Sequence, residues 1–262
     1  MERIEAVIFD WAGTTVDFGC FAPVQAFMEA FKSAGILPAL EEVRKPMGLL
    51  KREHVKAMLS MPRINGLFEE VHKRLWSEGD VDEIYKKSER GILDIIHAYA
   101  LPNPYVLETV SYLRETGIKI GSTTGYTDEM MEIVTAEAGK AGFKPDVWFS
   151  PNAVGNIGRP YPFMIFKNLE ALKVTSVRNV IKVGDTAADI REGKNAGVFS
   201  VGVVEGSSVM GLSKEELEGI SKEEYREAYN RTVMVYRKAG ADYVIGSMKE
   251  LPGLIRILEK QD

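Results

Sequence analysis

The chain has 262 residues, 45% hydrophobic and 27% charged, the balance of a soluble globular protein with room for one large domain or two modest ones. A net charge of −5 gives no electrostatic case for nucleic acid or an anionic membrane as partner, and no apolar run is long enough to cross a bilayer. The single cysteine, Cys20, excludes a disulfide framework, and the scattered His54, His72 and His97 give zinc little support.

The first predicted element is a strand ending at Phe9, where an apolar run enters Asp10, Gly13 and two threonines. Met1 to Phe9 leaves no room for a signal or transit sequence, so a cytoplasmic enzyme is expected. A loop over 18–23 precedes a helix over 24–34 stopped by Gly35, and residues 41–100 are helical in pattern throughout. Within them Gly48 to Leu59 reads as one helix, a second stretch ends near Trp76, and a third runs from Gly79 toward Ala100. Pro102 and Pro104 mark a boundary. Helix and strand then alternate: helix 105–116, strand 118–122, helix 128–141, strand 147–149, a helix from about Pro160, strand 180–183 and helix 186–195. Strands at 199–203 and 243–245 flank charged amphipathic helices over 213–239. The pattern predicts an α/β protein: a Rossmann-like parallel-sheet core of residues 1–19 and 101–262, with an inserted all-helical cap over 20–100.

Parallel strands bring their carboxyl ends to one edge, where open α/β sheets bind ligands. Asp10, Thr124 and the Gly184-Asp185…Asp189 stretch therefore converge, although Asp10 alone could equally cap a turn. Three carboxylates at such density suit magnesium. Thr124 offers a hydroxyl and Gly125 an approachable N–H to an anionic oxygen, and Arg159 adds a fixed positive charge.

Asp10 with Thr14 and Thr15, then Thr124, Arg159 and Gly184-Asp185-Thr186-x-x-Asp189, resemble the four motifs of the haloacid dehalogenase superfamily. That resemblance implies an Asp10 nucleophile that takes up a phosphoryl group. Phosphatases of the superfamily carry an acid two residues later, where this chain has Ala12. General acid help to an oxygen leaving group is worth about 10²–10⁴-fold, so the leaving group here must manage without it.

The stretch Pro46-Met47-Gly48-Leu49-Leu50-Lys51 with His54 supplies the other departure. On pattern alone it reads as a solvated face. The apolar lead-in could nevertheless desolvate Lys51, depress its pKa and suit it to condense with a carbonyl. Together with Asp10-Trp11-Ala12-Gly13-Thr14-Thr15, Ser122 to Tyr126, Gly158 to Pro162 and Gly206-Ser207-Ser208, it resembles the phosphonatase family over nearly the whole chain. The resemblance implies cleavage of a carbon–phosphorus bond through a Lys51 Schiff base and an Asp10 aspartyl phosphate. It implies magnesium held by Asp10, the Ala12 carbonyl and Asp185, with Asp189 behind them. Thr124, Gly125, Arg159 and Met47 would bind substrate, and His54 and Tyr126 would assist proton transfers. It further implies a homodimer joined through the caps and a place in 2-aminoethylphosphonate breakdown. Rival readings are a phosphatase or phosphomutase of the same superfamily, a silent phosphate-ligand sensor, and a lysine-dependent aldolase.

Overall fold

A computed structural model describes residues 3–260; residues 1–2 and 261–262, the outer ends of the expected core, lie outside the described residues. Six strands form one parallel sheet in the order β3-β2-β1-β4-β5-β6. They are β1 (Ala6–Phe9), β2 (Lys119–Thr123), β3 (Val147–Phe149), β4 (Val180–Gly184), β5 (Phe199–Val203) and β6 (Tyr243–Ile245). β1 and β4 are buried along their whole length, as strands covered on both faces by helices must be.

Between β1 and β2 the chain makes only helices: α1 (Phe21–Ser33), α2 (Leu40–Arg44), α3 (Lys51–Leu59), α4 (Pro62–His72), α5 (Glu78–Ile95) and α6 (Val106–Glu115). The rest are α7 (Asp128–Lys140), α8 (Phe163–Ala171), α9 (Ala187–Ala196), α10 (Lys214–Gly219), α11 (Lys222–Ala239) and α12 (Leu251–Leu258). The fold is thus α/β, a Rossmann-like parallel sheet with an inserted helical cap. α1 to α5 bury an apolar cluster of their own, including Phe27, Phe31, Val55, Met58, Phe68 and Ile84. The end of α5 and the next turn join the sheet's cluster through Ile92 and Ile96. The outgoing and returning connections run side by side: Val16 pairs with Pro102, and the Asn103 N–H donates to the Thr15 carbonyl at 2.8 Å.

Some element ends differ from expectation. The helix expected from Gly48 begins only at Lys51, because Gly48 takes φ +87° and Leu50 is extended. The stretch expected to run to Trp76 stops at His72, where Lys73 adopts a left-handed conformation at φ 57°. The helix placed near Pro160 starts at Phe163.

Candidate active site

The sheet order reverses at β1 and β4, and the crevice beyond their ends is where such sheets take ligands. Asp10 follows β1, its N–H donating to the Val183 carbonyl at 2.9 Å, and Asp185 follows β4. Gly13 turns at φ +86°, and a Cβ there would collide with the Asp185 carboxylate, so only glycine lets the two loops meet. The Asp185 carboxylate accepts from the Ser208 N–H at 2.8 Å and the Thr14 hydroxyl at 3.2 Å.

Asp10, Asp185 and Asp189 each place a carboxylate oxygen within 4.8 Å of the others. Burial, reinforced by Asp10 and Asp189, pushes the Asp185 carboxyl well above its ordinary range. The same pocket holds Glu192, so four buried carboxylates face two buried cations, Arg159 and Lys182. A hard divalent cation would balance that excess and suits all-oxygen donors, so the residues fit magnesium.

Arg159 is buried and bracketed by acids. Its Nη2 donates to Asp10 Oδ1 at 2.7 Å, its Nε to Glu192 Oε2 at 2.9 Å, and its Nη1 lies 3.0 Å from Asp189 Oδ1. Burial opposes its charge, but Asp10, Asp189 and Glu192 more than reverse that and raise its pKa. Burial works to raise the Asp189 carboxyl, yet Arg159 and Lys182 overcome it and hold it below its ordinary value. Thr124 is buried after β2, its hydroxyl accepting from the Tyr126 N–H at 3.0 Å. A Cβ on Gly125 would sit 3.2 Å from the Leu49 carbonyl, and one on Gly48 would strike Thr186. These two glycines let the segment before α3 seat between the loop after β2 and the start of α9.

That seating carries Lys51 inward. As the first residue of α3 it lies at the positive end of the helix, which disfavours an ammonium. Burial lowers its pKa further and Arg159 adds to the effect, against the opposing pull of the Asp10 and Asp17 carboxylates. Its Nζ lies 4.9 Å from the Tyr126 ring centroid and 5.9 Å from that of Phe27. His54 is not the surface histidine that an exposed α3 would carry. It is buried and stacked on Phe27 at 4.0 Å, with neither ring nitrogen in a well-formed hydrogen bond, and burial drives its pKa well below ordinary. Burial likewise raises the Tyr126 phenol and the Cys20 thiol, keeping both protonated. Met47 is buried within the apolar cluster of the inserted helices. A cavity of about 340 Å³ opens onto Lys51, Gly125 and Tyr126, and another of about 600 Å³ onto Leu50 and Arg159. A third, of about 710 Å³, lies across the 44–49 segment against α9 and α11, with neither Asp10 nor Lys51 in its lining.

Several groups at the site had no role assigned from sequence: Thr123, Lys182, Glu192, Ser208 and Asp17. Thr123 and Ser208 lie in stretches that resemble the phosphonatase family, and Lys182 stands out as a charge inside the apolar run of β4, whereas Glu192 gave no signal. Asp17 accepts from the Phe21 and Ala22 N–H groups at 2.8 and 3.0 Å and so caps α1. Burial outweighs those bonds and raises its carboxyl from 3.8 to about 7. A raised acid stabilises the folded state fully below the unfolded value near pH 4, and that contribution is lost as pH rises through about 7, by at most about 4 kcal/mol. Asp17→Asn removes the titration. Its melting temperature relative to the parent is expected to rise between about pH 5 and about pH 8, and a constant difference would contradict the assignment.

Fold and site together define a haloacid dehalogenase-like hydrolase, and that family matches residues 4–197. A phosphonoacetaldehyde hydrolase of Lysinibacillus sphaericus is 49% identical over 99% of this chain and 96% of its own length. A bifunctional phosphonoacetaldehyde hydrolase/aminoethylphosphonate transaminase of Clostridioides difficile is 46% identical over 99% of this chain and 41% of that protein. The crystal structure of a phosphonoacetaldehyde hydrolase-like protein from Oleispira antarctica superposes with a TM-score of 0.95 at 35% identity, covering 99% of this chain and 94% of that one. Within the haloacid dehalogenase-like hydrolases, the chain belongs to the phosphonoacetaldehyde hydrolases. No helix among the described residues is long and apolar enough to cross a membrane.

Proposed function

We propose that the protein hydrolyses phosphonoacetaldehyde to acetaldehyde and phosphate, with Lys51 and Asp10 each forming a covalent bond to substrate. The observation that carries this is the pairing of a buried, pKa-depressed Lys51 with a nucleophile position whose customary acid is Ala12. Residues 20–100 act as a cap over a core of 1–19 and 101–262. The Lys51 amine adds to the aldehyde and expels water, giving an iminium. Asp10 then attacks phosphorus, the carbon–phosphorus bond breaks, and its electron pair passes into the iminium to give a neutral enamine. Protonation at carbon and hydrolysis release acetaldehyde and free Lys51, while a second water cleaves the aspartyl phosphate. No leaving oxygen needs a proton, so Ala12 costs nothing.

Arg159, Thr124 and the Gly125 N–H hold phosphonyl oxygens. His54 and Tyr126, packed on the Lys51 face, assist proton movement during imine formation, and Met47 shapes the wall beside Gly48. Asp10, the Ala12 carbonyl and Asp185 would hold magnesium, with Asp189 behind them; the charge supplied there would screen the carboxylate from the phosphonate dianion and stabilise charge in transfer. The name of the Clostridioides difficile relative joins this hydrolase to an aminoethylphosphonate transaminase, which supports a place in 2-aminoethylphosphonate breakdown. A cytoplasmic homodimer joined through the caps belongs to the same reading.

Acetaldehyde release from phosphonoacetaldehyde tests the assignment directly. The parent is expected to release it with magnesium; phosphate release from simple esters alone would favour a phosphatase instead. Chelation of magnesium is expected to lower the rate by at least about 10²-fold, reversibly on adding the ion back. An unchanged rate after exhaustive chelation would contradict the metal assignment.

A further inference from the structure

Glu192 and Lys182 lie outside the four motifs, yet both are fully buried at the site. We propose that they are positioning residues that set the guanidinium of Arg159, and through it the anion-holding face of the pocket; this rests on the reading of Arg159 given above.

Three bonds of the cluster converge on the Thr123 hydroxyl. It donates to Glu192 Oε2 at 2.9 Å and accepts from Arg159 Nη2 at 2.8 Å and Lys182 Nζ at 2.9 Å. One hydrogen and two lone pairs are thereby used up, so the hydroxyl has a single orientation. Lys182 Nζ also lies 2.9 Å from Asp189 Oδ1 and 3.6 Å from Glu192 Oε2. Arg159 is therefore gripped at Nε by Glu192 and at Nη1 by Asp189, which fixes the plane of the fork and leaves Nη2 aimed at Asp10.

Charge points the same way. Asp189 and Glu192 balance Arg159 and Lys182, so the bracket is neutral and Asp10 and Asp185 remain for a divalent cation. Without Lys182, both bracket carboxylates would compete for Arg159 alone and draw it from Asp10. Without the Glu192 charge, the grip at Nε would weaken from a charge-assisted hydrogen bond to a neutral one. A buried ionic network is weak ground for stability against an apolar replacement, so its presence here is better explained by what it orients. Glu192 stands three residues after Asp189 on α9, on the same helix face, so one helix supplies both grips.

The test uses Glu192→Gln and Lys182→Met, each with three readouts: competitive inhibition by inorganic phosphate, borohydride trapping of acetaldehyde on Lys51, and melting temperature. Phosphate needs Arg159, whereas acetaldehyde needs only the lysine. Both variants are expected to bind phosphate at least about tenfold more weakly while trapping acetaldehyde within about twofold of the parent. Phosphate inhibition unchanged in both variants would overturn the proposal. So would losses of phosphate binding and trapping that fall together with melting temperature, the mark of a purely structural role. Failure of the parent to trap acetaldehyde would instead sink the Schiff base, with phosphate inhibition and melting temperature still deciding the role of the bracket.

Discussion

Lys51→Arg is expected to lower acetaldehyde release by at least about 10³-fold, equivalent to about 4 kcal/mol of transition-state stabilisation. Arginine keeps the positive charge and most of the side-chain length, but its guanidinium stays protonated and forms no imine under these conditions. The bond to phosphorus would then have to break with its electrons left on carbon, and the pocket offers no substitute sink. Because Lys51 is buried, the larger group strains its surroundings, so circular dichroism and melting temperature must accompany the assay. A folded variant with more than about a tenth of parental activity would remove the Schiff base from the account.

Asp10→Asn is expected to lower the rate by at least about 10³-fold for a different reason. The carboxamide can still accept from Arg159 Nη2, which now meets Asp10 Oδ1 at 2.7 Å, so the bracket of charges has a partner and the fold should persist. What is lost is the proposed nucleophile. Removing one charge also relieves Asp185, whose carboxyl burial and its neighbours Asp10 and Asp189 push upward. Imine formation at Lys51 should survive, so the two variants separate the two covalent steps. Loss of trapping in Asp10→Asn along with turnover, in a folded protein, would show that the steps are not separable as described.

The strands and their ends were legible because apolar runs stopped by Asp, Thr or Gly have few other readings. β3, β5 and β6 fall where the pattern puts them, and β1 delivers Asp10 to the switch point. The start of α3 was not legible. Nothing in Met-Gly-Leu-Leu announces that Gly48 takes a positive φ; the reason is its close approach to Thr186, some 140 positions away. That error concealed the most useful fact about Lys51, its place at a helix N-terminus. The stacking of His54 on Phe27 was hidden likewise, since the ring comes from α1. Arg159 was found by motif, but not its bracket: Glu192 reads as an ordinary helix residue until α9 is folded against β4.

The most direct measurement is mass spectrometry of Lys51 after borohydride treatment of enzyme turning over phosphonoacetaldehyde. An ethyl group is expected on Lys51 in the parent, left by reduction of the imine after carbon–phosphorus cleavage, and a phosphonoethyl group in Asp10→Asn, where cleavage is blocked. An unmodified Lys51 in both proteins, with acetaldehyde still released by the parent, would contradict it.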